Sequence, residues 1–127
     1  MSLTQWQDSW DRGIQDFNAH RYWHAHEAWE TNWLKLPEPD RSHIKALIQF
    51  CGVCVHIEKK RWSPALRLAH RSLELFAEAS AHQKLLKKEP ELKVKGLEDV
   101  LIKITVHLMM KAHDVDFLLS LAKTLKA

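Results

Sequence analysis

Apolar residues recur at three- and four-residue steps along almost the whole chain, and no stretch alternates with the two-residue period of a half-buried strand. That pattern confines the fold to packed helices. Trp6, Trp10, Ile14 and Phe17 mark a first amphipathic helix, with Thr4 as its N-cap and an end near Asn18. A second carries the run from Tyr22 to Trp33 and is broken by Pro37 and Pro39. The third opens at Asp40 or Ser42, reaches Lys60, and is apolar on most sides, so it belongs at the centre. Ser63-Pro64 reads as the cap and first position of a fourth helix, with Leu66, Ala69, Leu73 and Phe76 on its inner stripe, fading before Pro90. Leu97, Val100, Leu101, Ile104 and Leu108 mark a fifth, and Asp114 caps a short sixth bearing Phe117, Leu118, Leu121 and Leu125. The expectation is one all-α domain over residues 1–127, a bundle of five or six helices around the third, with its C-terminal helices at about 97–126.

A chain of 127 residues can bury a core without staples. The net charge of +3 is too small, and its basic residues too dispersed, to imply nucleic acid. No run approaches the roughly 20 apolar residues of a membrane span, and Met1-Ser2-Leu3-Thr4-Gln5-Trp6 lacks a secretory form, so a cytoplasmic protein is expected. Three glycines, at positions 13, 52 and 96, provide no phosphate-cradling loop. Cys51-Gly52-Val53-Cys54 lies inside an apolar helix, where core packing is favoured over redox chemistry. Arg67 and Arg71, with His70 nearby, read as a solvated helix face.

Chemistry concentrates in the second helix. Tyr22, Trp23, His26, Trp29, Glu30 and Trp33 fall on one broad side when the helical period is carried through position 33, leaving His24, Ala28, Asn32 and Lys35 outside. A tryptophan-rich face should pack inward, so His26 and Glu30 are expected where water is scarce. On the third helix Gln49 and His56 are seven residues apart and nearly aligned, with Gly52 leaving space between them. If the two helices pack side by side, two imidazoles, a carboxylate and an amide share one pocket. This is ligand chemistry for a divalent metal such as Zn, Mn, Fe or Ni. In that reading His26, Glu30 and His56 hold the metal, Glu27 at the rim acts as general base, and Tyr22, Trp23, Trp33 and Gln49 contact substrate.

Two other readings fit the same residues. One is a non-catalytic binding module whose aromatic pocket accepts a small molecule or a partner's helix. The other is a buried polar network that fixes helix register and does no chemistry, with His26 bonded to Glu30 and no cavity beside it.

The run Phe17-Asn18-x-x-x-Tyr22-Trp23-x-Ala25-His26-Glu27-x-Trp29-Glu30-x-x-Trp33, followed by Leu47-Ile48-Gln49 and then His56, resembles the domain-of-unknown-function 309 family over about positions 14–76. The resemblance implies a small all-α fold and a predicted metal-dependent hydrolase with no assigned substrate, and it places Tyr22, His26, Glu27, Glu30, Trp33, Gln49 and His56 at motif positions. The chain departs from the family pattern at His24, where a glutamate is usual, at Ala46, where a glycine is usual, and at Arg61 and Pro64, which replace turn glycines.

Overall fold

The computed structural model describes residues 3–89 and 96–122, and among these it contains six α-helices and no strand. They are α1 (Leu3–Asn18), α2 (Tyr22–Glu30), α3 (Asp40–Glu58), α4 (Trp62–Leu86), α5 (Leu97–Met109) and α6 (Val115–Ala122), with a single 3-10 turn at Trp33–Lys35. The expectations for Pro90, Leu125 and the extension of the last helix to 126 lie outside the described residues. The all-α single domain with a central third helix is as expected: α3 packs against α2, α4 and α6, and Leu47, Phe50, Cys51, Val53 and Cys54 are all fully buried.

On α1 the stripe Trp6, Trp10, Ile14 and Phe17 is buried as its spacing predicts. Trp29 of α2 stacks on Trp10 at 5.8 Å and lies 5.8 Å from Phe17, which meets Tyr22 and Phe50 edge-on at 5.0 and 5.5 Å. The Trp29 indole rests directly on the α1 backbone at Gly13, where a Cβ would fall among its ring atoms. Its Nε1 donates to the Trp10 carbonyl at 3.3 Å. A single absent side chain therefore sets how closely α1 and α2 approach.

Helix ends differ in detail from the sequence reading. Thr4 is already inside α1, and α4 begins at Trp62, one residue before Ser63. At the start of α3 the capping group is Glu38, whose carboxylate accepts the Ser42 N–H at 2.9 Å and the Ser42 hydroxyl at 2.7 Å. Partial burial works to raise the Glu38 pKa, but the Ser42 bonds and the His82 and Arg41 charges outweigh it and hold the group below the usual carboxylate value. Asp114 caps α6 as expected, accepting the Phe117 N–H at 3.0 Å, while Phe117 itself is exposed.

The C-termini of α1, α3, α4 and α5 share one device. At α1, α3 and α5 the residues His20, Lys60 and Lys111 adopt left-handed backbone with φ near 60°, each donating to the carbonyl three residues back (Phe17, Ile57 and Leu108). The next N–H of each closes a wider ring, Arg21 to Asp16 at 2.7 Å, Arg61 to His56 at 2.9 Å and Ala112 to His107 at 2.9 Å. Lys87 ends α4 in the same way. These are Schellman stops made without glycine. In the turn after α3 the left-handed position is taken by Lys60, while Arg61 beside it has φ −94°.

Candidate functional site

The orientation of α2 departs from the expectation. The helix stops at Glu30 because Thr31 is extended and Asn32 is left-handed with φ 57°. Trp33 therefore belongs to the 3-10 turn, half-buried, and gives no guide to the inward face of α2. That face is Tyr22, Ala25, Ala28 and Trp29. At about 100° per residue, His26 lies roughly 40° and Glu30 roughly 80° round from Tyr22, away from that buried arc. His26 is accordingly 24% exposed and Glu30 55% exposed, and Trp23 stands 61% exposed. Ala28, expected outside, is buried.

His26 nevertheless reaches a cavity. A space of about 270 Å³ opens between α2, α3 and α4, bounded by Trp23 and His26 on one side, Gln49, Gly52 and His56 on the second and Leu68 on the third. Ile48, Cys51 and Val55 supply the rest of its apolar wall. Gln49 and His56, seven residues apart on α3, both line this cavity, with Gly52 between them. A Cβ at Gly52 would stand 2.5 Å from Leu68 Cδ2, so the glycine also admits α4 against α3. Trp23 lies flat on the His26 ring, with centroids 5.1 Å apart and planes 3° apart, forming a lip at the cavity edge.

Its polar groups are incompletely paired. His56 Nδ1 is buried without a hydrogen-bond partner in the protein. Glu30 Oε2 lies 3.0 Å from His26 Nδ1, yet that nitrogen also lacks an aligned hydrogen bond. The carboxylate approaches off the N–H direction, so this is a close polar contact at the helix surface and not an aligned hydrogen bond. Burial, followed by the positive charges of Arg61, Lys59 and Arg67, lowers the His56 pKa, and the ring is neutral at physiological pH.

The remaining expected site residues are elsewhere. Glu27 lines a different cleft of about 240 Å³ with Arg12, Asp16, His24 and Thr31, one residue and about a quarter-turn away from His26. Tyr22 is 1% exposed and stacks on His20 at 5.6 Å, behind the cavity and not in it. Trp33 does not line it. No group of three or more His, Cys, Asp or Glu side chains among the described residues is placed to hold a metal ion. His26 and His56 share the cavity, but Glu30 does not line it, so this donor set does not fit a resident divalent metal. The apolar contributors Ile48, Val55 and Leu68 were not anticipated, since nothing distinguishes them in sequence from core residues.

Residues 10–68 match the model of the family described as Domain of unknown function (DUF309), which supports the family resemblance over that stretch. The matched span contains every residue that lines the α2–α3–α4 cavity. No curated protein and no solved structure matches the chain. No helix among the described residues is long and apolar enough to cross a membrane.

Proposed function

We propose that the protein is a binding module that takes a small molecule into the cavity between α2, α3 and α4. The observation that carries this reading is the lining: an apolar wall interrupted by two imidazoles and one amide, with His56 Nδ1 left without a protein partner. A core that merely fixed register would satisfy its buried polar atoms and fill the space between its helices. A ligand pocket needs the opposite, namely apolar surface to bury and a few polar groups to orient what is buried. The volume of about 270 Å³ lies just below the usual range for ligand sites, so the ligand is small.

Metal-assisted hydrolysis would require Glu30 to turn into the cavity and Glu27 to cross from its own cleft. The direct test is two-dimensional NMR of the labelled protein against a fragment library. Binding predicts perturbation of the Trp23 indole N–H and of amides at Gln49, Gly52 and His56. Fragments that never perturb those signals, or that perturb only other surfaces, overturn the reading.

A further inference from the structure

We infer that the cavity is built for a small carboxylate, with its apolar tail against Ile48, Val55 and Leu68 and its charged head at the His56 end. This rests on the binding reading above and adds the chemical class of the ligand. Each polar side chain on the wall, His26, Gln49 and His56, can donate an N–H, and no carboxylate lines the cavity. The charges that act on the His56 ring are positive: Lys59 just past the end of its own helix, Arg61 in the following turn and Arg67 on α4. From α2 the opposing groups are His26 and, outside it, Glu30, which is exposed and already 3.0 Å from His26. The field is therefore positive at the α3–α4 end of the cavity and compensated at the α2 end.

A cationic ligand would be disfavoured by the like charges of Arg61 and Arg67, which lie outside the lining but act on its His56 end. A neutral one would leave that field unused. A carboxylate accepts from the His56 N–H and places its charge at the positive end of the cavity.

The experiment compares hexanoate, hexanamide and hexylamine, three probes with the same tail length, titrated by NMR into the wild type, His56→Gln and Arg67→Gln at about pH 7.5. Hexanoate should bind about tenfold more tightly than hexanamide, the difference between a charge-assisted and a neutral hydrogen bond, with hexylamine weakest. The advantage should shrink in His56→Gln. Arg67→Gln, a substitution on the exposed face of α4, should reduce it as well. Equal binding of hexanoate and hexanamide, or tightest binding of hexylamine, overturns the carboxylate assignment and leaves the binding reading standing. Cavity signals unmoved by all three probes at millimolar concentration defeat both.

Discussion

Replacing Gly13 with alanine should destabilise this protein, although alanine is the better helix former. In an exposed helix the change would gain about 1 kcal/mol. Here the new methyl group would fall among Nε1, Cε2 and Cδ1 of Trp29. The indole has no room to withdraw: it is fully buried, stacked on Trp10 at 5.8 Å, packed near Phe17 and tied through Nε1 to the Trp10 carbonyl. Either α1 and α2 separate or the indole leaves its slot. Overpacking typically costs about 1–3 kcal/mol, and loss of a buried tryptophan's packing about 3–5 kcal/mol. After the propensity gain, parting the helices leaves a net loss of up to about 2 kcal/mol and expelling the indole one of about 2–4 kcal/mol, the latter lowering Tm by on the order of 10 °C at roughly 4 °C per kcal/mol for a chain of this size. Urea unfolding would show a lower midpoint with an unchanged slope. The control is the same substitution in a Trp29→Leu background, where the methyl group has space and alanine should be neutral or stabilising by up to about 1 kcal/mol. If Gly13→Ala melts at or above the wild type, or is equally damaging in both backgrounds, the proposed seat of Trp29 on α1 is wrong.

Other outcomes can be checked on the same preparation. Tyr22 is the chain's one tyrosine, and burial together with Cys54, Glu58 and Cys51 raises its pKa. Phenolate absorbance should therefore stay absent past pH of about 10 until the protein unfolds. Because the folded value lies above the unfolded one, the linked stability is complete below that pH and is lost as pH climbs through the folded value. Burial also raises both thiol pKa values, and Cys51 and Cys54 are inaccessible, so a thiol-reactive disulfide should label neither in native protein and both in urea. Lys60 adopts φ 56°, and Lys60→Gly should raise stability by about 0.5–1 kcal/mol in thermal unfolding; a loss would mean that the lysine side chain makes contacts outweighing its backbone strain. His26→Ala should cost no more than about 1 kcal/mol, the value of its stacking on Trp23, and His24→Ala less than about 0.5 kcal/mol. A loss above about 3 kcal/mol for His26 would place that ring in the core.

The all-helical class, the central place of α3 and the alignment of Gln49 with His56 on one side of it were determined by the sequence alone. They depend on local periodicity: residues seven apart align on any α-helix, and a helix apolar on most sides must be surrounded. The rotation of α2 was not determined in this way. Tyr22, Trp23, Trp29 and Trp33 distribute large rings around much of its circumference, so no single face is marked as the inward one. Two tertiary facts decide it. Trp29 enters the slot that Gly13 leaves on α1, and the left-handed Asn32 ends the helix before Trp33 can share its face. That rotation moves Glu30 to the surface and Glu27 to another cleft, while His26 remains at the cavity edge. The third wall is likewise a tertiary result, because Leu68 reaches the cavity only where α4 crosses α3 at Gly52, and a residue's own sequence neighbours carry no record of which helix it will meet.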